Sequence, residues 1–363
     1  EKQQKYLNAS TRQLIWWRYQ KHTLAMIGLV SILGMYFTAI FCEFLASYSK
    51  DTRHLEAIYA PISKIYLFDE NGKLSWPFVR QCYLELDMTQ YRASVKEVPG
   101  THFPIKLFVK GDSYLFWGVW EWDRHLFGVE QPGTLFLFGA DRMGRDVFSR
   151  CLYGTRISLS IGMIGVFMSL VVGLTLGGIS GYFGGWPDGI IQRIIEVIRC
   201  FPSIPLWMGL SAAMPPHWPS LKVYFAITLI LSLVGWTDLA RMVRGKLMSL
   251  REEEFVLAAK FIGASDARII FKHLLPSFTS HIIVSVTLAI PGMILAETAL
   301  SFLGIGLRPP ITSLGVLLKE AQNVTTVALY PWLLIPVVFV IIIVLSFNFV
   351  GDGLRDAVDP YSR

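Results

Sequence analysis

The sequence TLAMIGLVSILGMYFTAIFC, residues 23–42, contains no charged side chain. An α-helix that crosses the hydrocarbon core of a bilayer needs about 20 mostly apolar residues, and this stretch has that length. It is too long for the apolar region of a cleaved signal sequence, and no small-residue cleavage site follows it. The stretch therefore predicts a first transmembrane helix over residues 23–45, preceded by a cytoplasmic N-terminal tail, residues 1–22.

The composition of the whole chain agrees with a membrane protein. Of its 363 residues, 53% are hydrophobic and only 17% are charged, and the mean hydropathy is +0.47. Soluble globular proteins carry about 25% charged residues, so the composition argues against a water-soluble enzyme and against disorder. The net charge is +6, but no run of Lys or Arg is long enough for a basic arm, which excludes a nucleic-acid-binding protein.

The sequence offers no recognisable catalytic or metal-binding motif. Its cysteines, Cys42, Cys82, Cys151 and Cys200, are widely spaced and form neither a zinc motif nor a disulfide framework. A Cys82–Cys151 bridge stays open as an alternative to four unpaired thiols. No G-x-x-x-x-G-K-[ST], G-x-S-x-G or H-E-x-x-H motif is present. We therefore expect a chain without catalytic residues and without a metal site.

Further apolar stretches predict five more transmembrane helices, over residues 157–187, 189–213, 219–240, 279–303 and 330–350. Lys and Arg are concentrated in the N-terminal tail and in residues 238–276, between the fourth and fifth spans. Because short cytoplasmic segments carry such an excess, both termini are expected in the cytoplasm. The predicted fold class is an all-α membrane protein with six transmembrane helices.

The segment between the first two spans is unusually long. Residues 46–135 are rich in aromatic side chains, among them Trp117, Trp120 and Trp122. Residues 64–68, 104–109 and 114–120 have strand-like patterns, and residues 70–73 have the composition of a turn. Because the aromatic residues can supply a core, we predict a folded insert on the periplasmic side. We expect it to contact a protein partner rather than lipid.

Residues 238–276 are too charged to cross a membrane. Apolar residues recur there at helical spacing, and residues suited to end, cap and stop helices follow: Phe255, Ala259 and Ile262, then Gly263, Ser265 and Pro276. The pattern predicts a helix, a glycine elbow and a second helix. It fits a docking surface for a cytoplasmic partner, or a helix pair that only lies on the membrane, and the pattern alone leaves both open.

The same segment resembles the EAA loop of ABC-importer permeases, through Leu257-Ala258-Ala259, Gly263 and Leu275-Pro276. In that family the loop forms a coupling helix that sits in a groove of the ATPase subunit. The resemblance implies these coupling residues: Phe255, Ala258, Ala259, Gly263, Leu275 and Pro276. Leu257 stands where the first Glu of the loop is usual, a departure typical of the dipeptide/oligopeptide/nickel branch.

Three more stretches are similar to signatures of that branch: residues 138–159, 297–304 and 348–360. The resemblance implies a permease subunit of a bacterial inner-membrane importer, with residues 136–363 as the permease core. It also implies several partners: a homologous permease subunit, two cytoplasmic ATPases that bind ATP and Mg, a periplasmic binding protein and the lipid bilayer. No cofactor is expected on this chain.

The resemblance also bears on the transported solute. The chain would form half of a translocation path for peptides, while the branch also carries oligosaccharides, opines and nickel. An ion-coupled secondary transporter is an alternative from another class of protein. It is disfavoured because the sequence shows no convincing internal repeat and few titratable groups within the spans.

Two further sets of polar residues are candidates for function. The residues before the second span are expected to form a short amphipathic helix with an Asp146–Arg150 ion pair, which gates the path or meets a binding protein. Snorkelling arginines that merely anchor this helix are the alternative. The candidate residues are Gly139, Asp141, Gly144, Arg145, Asp146 and Arg150. Glu297 follows a long apolar run, where an ionisable group either lines the path or makes a structural hydrogen bond.

Overall fold

The computed structural model describes residues 10–68, 74–87, 92–98 and 100–359. The chain divides into two compact units. The first unit consists of the chain up to Leu33, Ser160–Leu300 and the chain from Ile342 onward, and the second of Gly34–Leu159 and Ser301–Ile341. The turn predicted at residues 70–73 lies outside the described residues.

Five helices in the described part of the chain are long and apolar enough to cross a membrane. They are α2 (Thr23–Ile40), α4 (Val147–Phe183), α7 (Ser220–Leu250), α11 (Thr279–Phe302) and the last helix, Pro331–Val358, whose α-helical part is α14 (Ile335–Val358). The third predicted span is instead a pair, α5 (Gly185–Cys200) and α6 (Ser203–Ala212), bent by 85°. Pro202 lies at this break. Its ring is incompatible with a continuous helix, which explains why the helix is interrupted there.

The second span begins earlier than predicted. α4 starts at Val147 rather than at residue 157, so residues 147–156 are its first turns. Asp146 precedes it and its Oδ2 accepts a hydrogen bond from the Ser149 N–H (2.8 Å), the contact of an N-terminal cap. The prediction of a separate short amphipathic helix before this span is therefore wrong.

Three glycines let α4 approach α7 closely within the first unit. Gly173, Gly177 and Gly181 lie four residues apart and so share one helix face. A Cβ atom on Gly177 would lie 2.5 Å from the carbonyl oxygen of Ala240, and one on Gly181 would lie 2.7 Å from that of Arg244. Because a larger residue would push the helices apart, this small-residue spacing sets their contact, as is common in membranes.

The insert between α2 and α4 is rich in β-structure. Its strands are β1 (Tyr66–Phe68), β2 (Leu74–Val79), β3 (Cys82–Asp87), β4 (Arg92–Glu97), β5 (Phe103–Pro104), β6 (Lys106–Phe116) and β7 (Trp120–Gly128). The described pairings are antiparallel and give a three-stranded sheet in the order β1-β2-β5 and two hairpins, β3–β4 and β6–β7. The insert is thus folded, although the strand predicted over residues 114–120 contains the turn of the second hairpin.

Shorter elements complete the described chain. The helices are α1 (Thr11–Lys21), α3 (Cys42–Leu45), α8 (Glu254–Phe261), α9 (Asp266–Arg268), α10 (Leu275–Ser277), α12 (Leu314–Lys319) and α13 (Val324–Leu329). A π-helical segment covers Ile269–Leu274, and 3₁₀ turns cover Leu55–Ala57, Glu320–Gln322 and Pro331–Leu334. Cys151 is free and buried, so it forms no bridge with Cys82.

Candidate functional site

The predicted coupling region, residues 238–276, begins within α7, which extends to Leu250. The first candidate site is the part that follows, residues 254–277 in the first unit, which we call the coupling segment. α8 ends in a Schellman motif: the Gly263 N–H donates to the carbonyl of Lys260 (2.9 Å), and the Ala264 N–H donates to that of Ala259 (3.0 Å). Gly263 has a φ of +83°, which glycine adopts without the steric cost of a Cβ atom. The predicted role of Gly263 as a helix end is confirmed.

The chain after this glycine forms the second arm of the coupling segment. Ser265 Oγ accepts from the Arg268 N–H (3.4 Å), which confirms its predicted role as a cap. Helical backbone then runs through α9, the π-helical segment and α10 as far as Ser277. Pro276 lies in the first turn of α10, a position where proline is tolerated. The prediction that Pro276 stops this arm is wrong, because the break comes at Phe278.

The inner face of the coupling segment packs on α7. Its fully buried members are Val256, Ile269 and Leu274. Ala259 and Leu275 are partly buried against the same cluster. Ala259 thus belongs to the inner face with Val256, one turn before it, and does not share a single outer stripe with Phe255 and Ile262. The inner face fixes the position of the whole segment.

The outer face of the coupling segment is apolar and exposed. Phe261 is 90% exposed and Ile262 is 87% exposed, directly before Gly263. Four predicted coupling residues are exposed as well: Phe255, Ala258, Gly263 and Pro276. Exposed apolar clusters of this kind mark surfaces that another molecule covers. Phe261 is missing from the predicted set, although two apolar residues directly before a helix-ending glycine are a local signal that indicates it.

Polar contacts tie the coupling segment to the end of α4. Tyr182 Oη donates to Asp266 Oδ1 (2.6 Å), and Lys260 Nζ lies 5.2 Å from the centroid of the same ring. A separate ion pair joins α5 to α7, the helix on which the coupling segment packs. The Asp188 carboxylate of α5 accepts two hydrogen bonds from the Arg244 guanidinium of α7, each 2.6 Å long. The partners in these pairs are distant in sequence, so no local pattern signals them.

The second candidate site is the buried charge cluster in the second unit, which consists of Asp141, Arg145, Arg150 and Glu320. Asp141 accepts from Arg145 Nε (2.7 Å) and from Arg150 Nη1, and Glu320 Oε1 accepts from Arg145 Nη2 (3.2 Å) and Arg150 Nη1 (3.4 Å). The side chains of Asp141 and Arg150 are only 1% and 3% exposed. Two positive and two negative charges balance, as burial of ions requires.

The buried charge cluster differs from the predicted arrangement. Arg150 pairs with Asp141 and Glu320 rather than with Asp146, because Asp146 caps α4 and accepts from Ser149. Both arginines are buried, so they do not snorkel to a membrane surface. Glu320 is missing from the predicted set, since it lies 170 positions after Arg150 and no local motif marks it.

Gly139 and Gly144 shape the loop that carries this cluster. Their φ angles are +75° and +69°. A Cβ atom on Gly144 would overlap the carbonyl oxygen of His54, and one on Gly139 would lie 2.6 Å from Trp332 Cδ1. Both positions therefore require glycine for conformation and for space. The tight loop brings Asp141 to the two arginines.

Burial also changes the proton affinity of two acidic groups outside the candidate spans. Burial raises the pKa of Asp146 to about 6, although the hydrogen bonds from Ser149 act in the opposite direction. Burial raises the pKa of Glu320 too, and the Asp141 carboxylate adds to the effect. Desolvation disfavours the ionised carboxylate in both cases. Asp146 therefore carries a proton below about pH 6.

A cavity of about 430 Å³ lies within the first unit. Residues of α4, α6, α7 and α11 form its mostly apolar wall, with the polar members Ser169, Ser203, Asp238 and Ser285. Glu297 is fully buried on α11, directly after Ala296 of the wall. Among the described residues, no group of three or more His, Cys, Asp or Glu is arranged to hold a metal ion.

Two protein families match this chain. Residues 173–363 match the family described as "Binding-protein-dependent transport system inner membrane component". Residues 10–61 match the family described as "N-terminal TM domain of oligopeptide transport permease C". The first match includes the coupling segment and α11, and the second includes α1 and α2.

Several curated proteins are similar to it. The dipeptide transport system permease protein DppC of Alkalihalophilus pseudofirmus is 41% identical over 233 residues, which cover 64% of this chain and 74% of that protein. The oligopeptide transport system permease protein OppC of Bacillus subtilis is 38% identical, with the same coverage of 64% and 74%. The glutathione transport system permease protein GsiD of Pectobacterium atrosepticum is 39% identical over 231 residues, again covering 64% and 74%. The predicted resemblance is confirmed: the chain belongs to the family of binding-protein-dependent transport system inner membrane components, the permease subunits of ABC importers.

Proposed function

We propose that this chain forms half of the membrane path of an ATP-driven importer for peptides. The similar proteins support this substrate class, because their names refer to dipeptide, oligopeptide and glutathione transport. A homologous permease subunit supplies the other half of the path, and a periplasmic binding protein delivers the peptide. Two cytoplasmic ATPases, which bind ATP and Mg, drive the cycle.

The proposed placement in a bacterial inner membrane puts both termini in the cytoplasm. α5 and α6 together provide a sixth span, residues 46–135 form a periplasmic insert, and residues 136–363 form the permease core. The excess of Lys and Arg in residues 238–276 supports this orientation. An even number of spans then returns the chain to the side on which it starts.

The outer face of the coupling segment carries the proposal. Phe261 and Ile262 expose almost their whole side chains at the end of a short helix, while Val256 locks the inner face of that helix. A helix that docks in a groove needs this combination of a fixed backbone and a few protruding apolar anchors. We propose that this groove lies on the ATPase subunit, which the family implies as a partner.

Coupling then works through packed contacts within the first unit. Movement of the ATPases displaces Phe261 and Ile262, and the buried Val256 passes this displacement to α7. The hydrogen bond from Tyr182 to Asp266 passes it to α4. α4 and α7 both contribute to the wall of the 430 Å³ cavity, so their displacement changes the width of that cavity. This chain contributes no catalytic group to the cycle.

We assign the cavity of the first unit to the translocation path. Its serine hydroxyls offer hydrogen bonds to a peptide backbone, and the charged residue of its wall, Asp238, is paired with Arg199. Glu297 is fully buried and lies outside that lining, so we assign it a structural role within the bundle rather than a path-lining one. The buried charge cluster has a different role in this proposal. It fixes the loop at residues 139–146 to Glu320 and so preserves the shape of a periplasmic surface that meets the binding protein.

The test compares two variants of the complete transporter, each of which lacks exposed apolar side chains. Phe261→Ala combined with Ile262→Ala removes the anchors, and Phe225→Ala, on α7, removes a side chain that is 52% exposed. Loss of an interface anchor costs about 2–4 kcal/mol, or roughly 30- to 1,000-fold in affinity. We expect the double variant to lose the ATPases on purification and to stop ATP-dependent uptake, while Phe225→Ala keeps both.

Membrane insertion of each variant serves as the control for folding. ATPases that stay bound to an inserted Phe261→Ala, Ile262→Ala double variant, with normal uptake, would contradict the proposal. Uptake driven by an ion gradient without ATP would favour a secondary transporter instead.

A further inference from the structure

The β6–β7 hairpin ends in a turn that holds a tryptophan in an unusual backbone conformation. Trp117 and Gly118 have positive φ angles of +51° and +73°, and the Val119 N–H donates to the Phe116 carbonyl (3.1 Å). Positive φ at both central residues is typical of a type I′ turn. A left-handed backbone is costly for a residue with a Cβ atom and persists where surrounding contacts hold it.

The contacts that hold this turn come from the C-terminal end of α2. Trp117 Nε1 donates to the carbonyl of Ile40 (2.8 Å), the last residue of that helix. The ring of Phe116 lies 6.1 Å from that of Phe41, measured between centroids. The hairpin thus lies against the end of the first candidate span and shares with Arg156 Nη2 (2.9 Å) a backbone carbonyl that has no partner within the helix.

The end of the hairpin also exposes several large apolar side chains, and Glu121 is the charged residue among them. We call residues 115–122 the aromatic tip. Its exposed members are Leu115 (58% exposed), Trp117 (50%), Val119 (70%), Trp120 (62%) and Trp122 (46%). On α2 itself, Phe37 is 55% exposed and Ile40 is 47% exposed. The apolar surface of the span therefore continues onto the hairpin.

We propose that the aromatic tip is an interfacial membrane anchor. In this proposal Trp117, Val119 and Trp120 lie in the headgroup region of the bilayer beside the end of α2. Tryptophan is suited to this region because its ring is apolar while its N–H needs a hydrogen-bond acceptor.

The length of α2 places the tip at the required depth. The helix has 18 residues, and a rise of about 1.5 Å per residue gives a length of about 27 Å. The hydrocarbon core is about 30 Å thick. A helix that enters at one face therefore ends near the other face. Since Trp117 bonds directly to Ile40, the aromatic tip lies at that boundary.

Lipid fits this surface better than a protein partner does. The exposed rings are continuous with the lipid-facing surface of a membrane span, whereas a binding protein approaches from the aqueous phase. The sequence predicts that the insert contacts a partner rather than lipid, and the aromatic tip departs from this expectation. Only the tip is assigned to the bilayer, and this assignment does not depend on the proposed coupling to ATPases.

The experiment measures the depth of a fluorescent probe in the complete transporter in lipid nanodiscs. Cys82→Ser and Cys200→Ser remove two native thiols, and an environment-sensitive fluorophore is then attached at Val119→Cys. Lys106→Cys, at the opposite end of β6, is the matched control. We expect lipids that carry a spin label near the headgroup to quench the probe at position 119 several-fold more strongly than the probe at position 106. A water-soluble quencher should show the opposite order.

A second pair of variants tests the role of the indole rings. Trp120→Ser should reduce lipid quenching at position 119, whereas Trp76→Ser, which removes a tryptophan that is 63% exposed on β2, should not. Equal accessibility of positions 119 and 106 to the water-soluble quencher would overturn the proposal. So would protection of position 119 that appears only when the binding protein is added, because that result would assign the surface to a protein.

Discussion

The coupling segment and the buried charge cluster place their key side chains in opposite environments. Phe261 of the coupling segment is an apolar side chain that is 90% exposed, whereas Asp141 of the cluster is a charged side chain that is 1% exposed. An exposed apolar side chain adds little to the stability of its own chain, but it can bind a partner. A buried ion is costly as soon as its counter-ion is removed. The first region should therefore control coupling, and the second should control folding.

The largest expected effect concerns the buried charge cluster. Asp141→Asn leaves Arg145 and Arg150 with Glu320 as the remaining counter-ion, and breaking a buried ion pair costs about 3–5 kcal/mol. The control, Asp123→Asn, removes the partner of Lys110 in an exposed pair (3.3 Å), which is worth about 0–1 kcal/mol. Thermal unfolding in detergent should show a large loss of stability for the first variant and almost none for the second. Similar melting curves for both would mean that burial of the cluster does not matter.

Two glycine variants compare the loop of the buried charge cluster with the end of α8 in the coupling segment. Gly144→Ala places a Cβ atom against the carbonyl oxygen of His54, so the backbone of the loop must move. Gly263→Ala meets no atom within 4 Å and suffers only the left-handed φ, about 1–2 kcal/mol. We expect Gly144→Ala to unfold at a clearly lower temperature than Gly263→Ala. We expect the transporter that carries Gly263→Ala to keep the ATP hydrolysis of its ATPase subunits while uptake falls. A folding defect in Gly263→Ala, together with normal stability and reduced uptake in Gly144→Ala, would contradict this comparison.

The last expected effect is a pH dependence from Asp146. Its carboxyl keeps a proton up to about pH 6 in the folded chain but loses it near the ordinary value of 3.8 when unfolded. Between these values the folded chain binds more protons, so the free energy of unfolding falls as the pH rises. Asp146→Asn keeps a neutral acceptor for Ser149 but has no carboxyl proton to lose, so it removes this contribution to the pH dependence of the free energy of unfolding. The difference in stability between wild type and variant should therefore change from pH 4 to pH 6, and a constant difference would refute the raised pKa.

The parts of this fold that follow from the sequence depend on short-range signals. The uncharged stretch at residues 23–42 contains α2, and Gly263 and Ser265 end and cap helices where their conformational preferences predict. The four-residue spacing of Gly177 and Gly181 places both on one helix face, which Ala240 and Arg244 approach closely. In each case the information lies within a few residues of the feature.

The parts that do not follow depend on partners distant in sequence. Glu320 completes the buried charge cluster from 170 positions away, so the i,i+4 spacing of Asp146 and Arg150 suggests the wrong pair. Asp266 of the coupling segment receives its hydrogen bond from Tyr182, 84 positions earlier. Such pairs depend on tertiary packing, which the pattern of a single sequence does not encode.

The central claim is that the end of α8 touches an ATPase subunit, and cross-linking tests it most directly. A photoreactive p-benzoylphenylalanine replaces Phe261 in one transporter and Phe225 in another, and both are irradiated in native membranes. We expect the probe at position 261 to cross-link to the ATP-binding chain and the probe at position 225 not to do so. A probe at position 261 that links only to lipid, or to nothing, would contradict the account and make the segment a helix pair that lies on the membrane.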